Sequence, residues 1–195
     1  MKNPFRIGER VYLRPVEVED VPLLLKWIND PEVNRFLGAF QPYNAVRERE
    51  WVEGLYKQPG DAVLLIVLQE GDRPIGSCGL HQLRMDFPNR CCELGILIGE
   101  PEFQSRGYGA EAMRLLCDYG FNRLGLRRIG LRVYEYNRRA IRCYEKVGFR
   151  EEGRLREARF IDGQFYDVVM MGLLEREFRG EEGAAMAARC QEDVS

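Results

Sequence analysis

Apolar positions along the chain alternate between a period of two and a period of 3.6 residues, and the changes of period mark the elements. Val11 and Leu13 alternate with polar neighbours over Arg10 to Arg14, which predicts a strand. Asp20 reads as a helix N-cap, with Val21, Leu24 and Ile28 following at helical spacing until Asn29-Asp30-Pro31. A second helix is predicted from about Asn44 to Tyr56, before Pro59-Gly60. Ala62 to Gln69 reads as a buried strand, Gly71-Asp72 as a turn, and Pro74 to Leu83 and Cys91 to Ile98 as the next strands. Gly107 to Arg123 is predicted helical, because Ala112, Leu115, Leu116 and Tyr119 recur at i, i+3, i+4 and i+7. Arg128 to Tyr134 reads as a strand. Asn137 caps a short helix whose inner face is Ala140, Cys143, Tyr144 and Val147, and Gly148 occupies its C′ position. Two final strands flank the hairpin turn Asp162-Gly163.

The order β-α-α-β-β-β-α-β-α-β-β puts a hairpin-rich half before two β-α-β crossovers. It predicts an α/β domain with a mixed sheet carrying helices on its faces. No repeat or linker interrupts it, so one domain over 1–180 is expected. Residues 181–195 are rich in Gly, Glu and Ala and are expected to form a disordered tail.

Composition narrows the function. The net charge of -2, from 29 basic and 31 acidic residues, argues against direct nucleic-acid binding. The longest apolar run, Ala62 to Leu68, is too short for a membrane span. No hydrophobic segment follows Met1-Lys2-Asn3-Pro4, so no signal peptide is visible and a cytoplasmic location is expected. The cysteines at 78, 91, 92, 117, 143 and 190 form no C-x-x-C pair, and His81 is the only imidazole. No metal site is expected, and the thiols are expected to be reduced.

The chemically informative stretch is Gln104-Ser105-Arg106-Gly107-Tyr108-Gly109-Ala110, between a strand and a helix. Glycines there let backbone N–H groups approach an anion, and the helix N-terminus adds partial positive charge. The segment is not the dinucleotide fingerprint, whose third glycine is replaced by Ala112, and it has no Gly-Lys-Ser/Thr ending. An ordinary glycine-rich turn is the alternative reading. One strand later comes Asn137-x-x-Ala140-x-x-x-Tyr144-x-x-x-Gly148-Phe149. Together the two segments resemble the GNAT superfamily of acyl-CoA-dependent N-acetyltransferases. Val11-Tyr12-Leu13-Arg14-Pro15, Trp27 to Val33 and Phe160 to Asp167 are similar to the branch containing spermidine and ribosomal-protein alanine N-acetyltransferases.

The resemblance implies a GNAT-like, mostly antiparallel central sheet flanked by helices. Its fourth and fifth strands, Cys91 to Ile98 and Arg128 to Tyr134, splay apart. It implies acetyl-CoA as co-substrate, with the pantetheine arm along Ile96, Leu97 and Ile98. The pyrophosphate would rest on Gln104, Ser105, Arg106, Gly107, Tyr108, Gly109 and Ala110. Asn137 matches a cofactor-contacting residue, compatible with its role as N-cap. Tyr144 matches the general acid for the departing thiolate; a plain core role is the alternative. Glu93 matches a glutamate acting as base or amine-binding group; a solvated strand residue is the alternative. His81, near a strand end, is a further base candidate, with a structural role as its alternative. The acceptor is expected among Trp27, Asp30, Glu32, Phe36, Tyr43 and Tyr166. The implied reaction is transfer of acetyl to a primary amine, a small molecule or polyamine, by direct attack in a ternary complex. The alternatives are N-terminal alanine acetylation of a ribosomal protein and non-catalytic acyl-CoA binding. Self-assembly into a homodimer or higher homo-oligomer is also implied.

Overall fold

Residues 1–55, 57, 60–83 and 89–180 are described by a computed structural model of the chain. The strands are β1 (Arg6–Ile7), β2 (Val11–Pro15), β3 (Ala62–Leu68), β4 (Pro74–His81), β5 (Cys91–Ile98), β6 (Arg128–Tyr134), β7 (Arg150–Ile161) and β8 (Gln164–Leu174). The α-helices are α1 (Val21–Asn29), α2 (Pro31–Asn34), α3 (Ala45–Gly54), α4 (Tyr108–Asp118) and α5 (Arg138–Val147). They build one mixed sheet in the order β1-β2-β3-β4-β5-β6-β8-β7. Every neighbouring pair is antiparallel except β5 and β6. The expected splayed fourth and fifth strands are β5 and β6, because β1 adds a two-residue strand that the pattern was too short to reveal. Both crossovers form, and the second is interrupted: β8 inserts between β6 and β7.

Alternation along the strands sorts side chains between two cores. Leu13, Leu64, Ile66, Leu80, Leu94 and Ile129 pack under α4 and α5, with Met113, Leu116, Tyr144 and Val147. Tyr12, Val63, Leu65 and Val67 pack on the other face, with Leu24 and Trp27 of α1 and Val52 of α3. Asn44 and Asn137 cap α3 and α5 through side chains that accept from the N–H groups of Arg47 and Ala140. Gly148 closes α5 in the left-handed region at φ 106°. Asp162 and Gly163 both have positive φ, as a hairpin turn twisted like its strands requires. Among the described residues, no helix is long and apolar enough to cross a membrane.

Several sequence expectations change. Asp20 is not a side-chain cap of α1; its carboxylate instead pairs with Arg14 at 2.7 and 2.8 Å and accepts from the Glu17 N–H at 2.8 Å. The helix expected over Gly107 to Arg123 starts at Tyr108 and becomes a π-helical turn over Tyr119–Arg123, where the Leu124 N–H reaches the Tyr119 carbonyl at 3.1 Å. Spacing alone does not distinguish these two windings. A new helix, α2, starts at Pro31, where α1 was read only as ending; Asp30 caps it by accepting from the Glu32 N–H. The β4 strand ends at His81 rather than Leu83. The expected helix end at Tyr56, the break at Pro59, Cys190 and the tail over 181–195 lie outside the described residues.

The Arg14–Asp20 pair is almost fully buried, with side chains 6% and 10% exposed. Burial alone would raise the Asp20 carboxyl; the bond to Arg14, the Glu17 N–H and the Arg14 charge outweigh it and hold it below the usual carboxylate range. Stability from such a group is present above the unfolded pKa of about 3.9 and is lost as pH falls through the lower folded value. Asp20→Asn is therefore expected to cost about 3–5 kcal/mol at pH 7, the usual result of breaking a buried pair. Urea unfolding at pH 7 and near pH 2 checks this: the gap between the two proteins should narrow in acid, and an unchanged gap contradicts it.

Candidate active site

The β5–β6 ladder contains three registered pairs, Cys91↔Arg128, Cys92↔Ile129 and Glu93↔Gly130. Beyond Glu93 the strands part. β5 keeps pairing with β4 to Ile98, and β6 keeps pairing with β8 to Tyr134. A cavity of about 750 Å³ opens in the gap. It is lined from one side by Gly107, Gly109 and Ala110 of the α4 entry and by Ala140, Cys143 and Tyr144 of α5. From the α1–α2 side come Val33, Phe36, Leu37 and Gly38. The cavity thus reaches both faces of the sheet through its splay.

The loop before α4 is tightly curled. Ser105 and Gly107 adopt left-handed φ values of 61° and 88°. Such a curl before a helix N-terminus is the backbone form of anion-binding concavities. The Gln104 side chain donates to the Ile98 carbonyl at 2.9 Å and accepts from Arg139, tying the loop to β5 and α5. Arg10 braces it from behind, donating to the Arg106 carbonyl at 3.0 Å and pairing with Glu111 at 3.0 Å.

Of the expected cofactor residues, Ile96, Leu97, Ile98, Gln104, Ser105, Gly107, Gly109, Ala110 and Asn137 line the cavity. Arg106 and Tyr108 stand outside its lining and pack on Phe103. Tyr144 lines it while remaining 9% exposed. Burial, with a smaller contribution from Cys143, pushes its phenol above the ordinary range, so it keeps its proton at neutral pH. The Asn137 side-chain oxygen accepts the Ala140 N–H at 3.2 Å. Glu93 stands just short of the lining, at the last rung of the ladder, and its Oε1 accepts from Arg132 at 2.7 and 3.2 Å.

Among the acceptor candidates, Phe36 lines the cavity. Tyr166 packs edge-on against Tyr136 at 4.8 Å, and Tyr136 stacks on the lining residue Tyr134 at 5.5 Å. Trp27 does not face the cavity: it is 1% exposed, and its indole N–H donates to Glu100 at 2.9 Å. Asp30 is occupied as a cap, Glu32 is exposed, and the Tyr43 ring carries the Arg47 guanidinium at 3.9 Å.

The sequence reading missed the cavity's charge. Arg132, Arg139, Arg142 and Lys146 line it, and no carboxylate does among the described residues. Arg139, Arg142 and Lys146 recur at i, i+3 and i+7, the spacing of one helix face. That signal was present beside the apolar face of α5. A basic cavity in a chain of net charge -2 suits an anionic ligand.

A family model for the acetyltransferase (GNAT) domain matches residues 10–150. The uncharacterized N-acetyltransferase p20 of Bacillus licheniformis is 32% identical over 175 residues, covering 88% of this chain and 97% of that protein. The spermidine N(1)-acetyltransferase of Escherichia coli (strain K12) is 31% identical over 172 residues, covering 88% of this chain and 89% of that protein. The crystal structure of spermidine N-acetyltransferase from Vibrio cholerae in complex with CoA and spermine superposes with a TM-score of 0.79 at 26% identity. That match covers 87% of this chain and 98% of the other. On the family match and these relatives, the chain belongs to the GNAT acetyltransferase family, as an acetyl-CoA-dependent N-acetyltransferase.

Proposed function

We propose that the protein transfers the acetyl group of acetyl-CoA to a primary amine, a small molecule or polyamine, by direct attack in a ternary complex. The observation that carries this reading is the cavity through the splay, with a curled anion-binding loop and a protonated tyrosine on one side and an aromatic, charged opening on the other. The phosphates would rest on Ser105, Gly107, Gly109 and the basic face of α5. The pantetheine arm would pair with the β5 edge at Ile96, Leu97 and Ile98, which has no β6 partner.

A primary amine of pKa about 10 is neutral in about one molecule in a thousand at pH 7, a cost of about 4 kcal/mol. The enzyme must therefore bind the ammonium, remove a proton, and stabilise the oxyanion as nitrogen attacks the thioester. Glu93 would hold the ammonium, sharing its carboxylate with Arg132. Tyr144 would protonate the leaving thiolate. Cys143 also lines the cavity, but burial raises its thiol, so little reactive thiolate forms there. This supports direct transfer over an acyl-enzyme.

A second reading, acetylation of a protein N-terminal alanine, is favoured by the absence of carboxylates from the lining among the described residues. A polycation gains least from such a wall. Release of CoA thiol from acetyl-CoA with spermidine, aminoglycosides, amino acids and alanine-starting peptides tests both readings. Turnover with an amine supports acetyl transfer, and the best acceptor separates the two. CoA binding without thiol release from any amine would contradict both.

Tyr144→Phe keeps the ring that packs with Phe149 at a centroid distance of 6.3 Å. No hydrogen-bond partner of the phenol oxygen occurs among the described residues, so stability should change by less than about 1 kcal/mol. Turnover should fall by about 10²–10⁴, the usual worth of a positioned acid. Near-wild-type turnover would make Tyr144 a core residue only.

Gly107 and Gly109 test the cofactor assignment unequally. At φ 88° any side chain at Gly107 is strained. At Gly109 the nearest atoms a Cβ would meet, on Ile98, Cys143 and Ile96, lie at 3.7–3.8 Å, ordinary contact distances. Gly109→Ala should therefore fold with stability within about 1 kcal/mol of wild type, as the helix-propensity difference allows. Its acetyl-CoA dissociation constant should rise at least about tenfold, equivalent to about 1.4 kcal/mol. Titration calorimetry and thermal melting check this, and unchanged affinity would place the cofactor elsewhere.

A further inference from the structure

We propose that His81, oriented by Asp61, is the general base that deprotonates the acceptor amine. This rests on the acetyltransferase reading above and names a group that reading left unassigned. His81 ends β4 directly opposite Glu93, the last residue of β5 before the splay. Its Nδ1 lies 3.0 Å from Asp61 Oδ2, and the other Asp61 oxygen accepts the Gln82 N–H at 2.9 Å. The carboxylate is thus fixed by the backbone and can fix the ring.

The other nitrogen is directed along the sheet. A Cβ at Gly79 would stand 3.1 Å from Nε2, and one at Gly95 would stand 3.2 Å from it. Both positions are glycine, and the ring occupies the space that side chains would fill. Gly95 lines the cavity where the strands part. Nε2 has no hydrogen-bond partner among the described residues, and the side chain is 36% exposed. Among the described residues, the charged groups around it are Asp61 before β3, Glu93 on β5 and Arg132 on β6, the last two paired with each other.

Register puts His81, Glu93 and Gly95 on the sheet face that carries α1 and α3. Tyr144 belongs to the core on the opposite face. Base and acid therefore stand on opposite faces of the sheet at the splay. A carboxylate on Nδ1 keeps the proton there and leaves Nε2 with its lone pair.

Starting from the bound ammonium, one N–H proton passes to Nε2 and on to solvent; the freed nitrogen then forms the N–C bond, the C–S bond breaks, and the surplus N–H proton follows to Nε2. The departing sulfur takes a proton from Tyr144. The imidazolium proton then returns through solvent to the tyrosinate. No further reactant is consumed.

Because the chain has one histidine, a single imidazole spectrum reports this group. Long-range proton–nitrogen NMR of the full chain should show the neutral ring protonated at Nδ1 in the wild type, and a loss of that preference in Asp61→Asn. In thiol-release assays with spermidine and an alanine-starting peptide, His81→Gln should lower kcat by about 10²–10³ near pH 7. The deficit should shrink as pH approaches the amine's own pKa. Acetyl-CoA affinity should change by less than about twofold. Asp61→Asn should lower kcat by about tenfold with the same pH trend. A neutral ring protonated at Nε2, or His81→Gln with wild-type kcat from pH 6 to 9, would overturn the proposal while leaving the acetyltransferase reading intact. Wild-type protein that binds acetyl-CoA and acetylates neither amine nor any other of the panel would overturn both.

Discussion

The parting of β5 and β6 after three rungs organises the molecule. Each strand is held more firmly on its outer side. β5 pairs with β4 through Ile98, and the Gly99 and Glu100 N–H groups then both reach the Ile75 carbonyl, at 2.9 and 3.3 Å. Glu100 is clamped in turn by Lys26 at 2.6 and 2.8 Å and by the Trp27 indole. Gly99 lies so close under Trp27 that a Cβ would stand 2.2 Å from the ring. β6 is paired with β8 along its whole length. Beyond Glu93 the backbone groups of β5 facing the gap have no β6 partner. In the proposed function, an extended ligand with its own amides would pair with them.

Charge and shape then divide the slot. The α5 helix does two jobs: its apolar face, with Tyr144 and Val147, closes the core, while Arg139, Arg142 and Lys146 give the cavity its positive wall. In the proposed function, the phosphates of the cofactor would lie on that side. On the other face, His81, Glu93, Arg132 and Tyr134 follow from strand register alone. Tyr144 and these residues thus stand on opposite faces of one layer of backbone.

Much of the fold was legible because the strands alternate cleanly and the glycines and prolines punctuate them. Cys91–Ile98, Arg128–Tyr134, the Asn137 cap and the Gly148 terminus all formed where the pattern put them. Asp20 holds the N-cap position as expected, but its side-chain role was misread, because an acidic residue before a helix looks the same in sequence whether it caps the helix or neutralises a buried arginine six residues earlier. Trp27 looked like an acceptor contact because an aromatic residue on an amphipathic helix does not declare which face it takes. The basic face of α5 was written at helical spacing but lay beside a stronger apolar signal. The His81–Asp61 pairing joins residues 20 apart in the chain across a sheet, and only the strand register brings them together.

We propose that the cofactor docks on the free inner edge of β5. Amide hydrogen exchange of the whole chain, with and without saturating CoA, tests it residue by residue. Docking there gives new protection at the amides of β5 from Gly95 to Ile98 and of the loop from Ser105 to Ala110. Protection appearing at β7 and β8 while the β5 edge exchanges as before would contradict it.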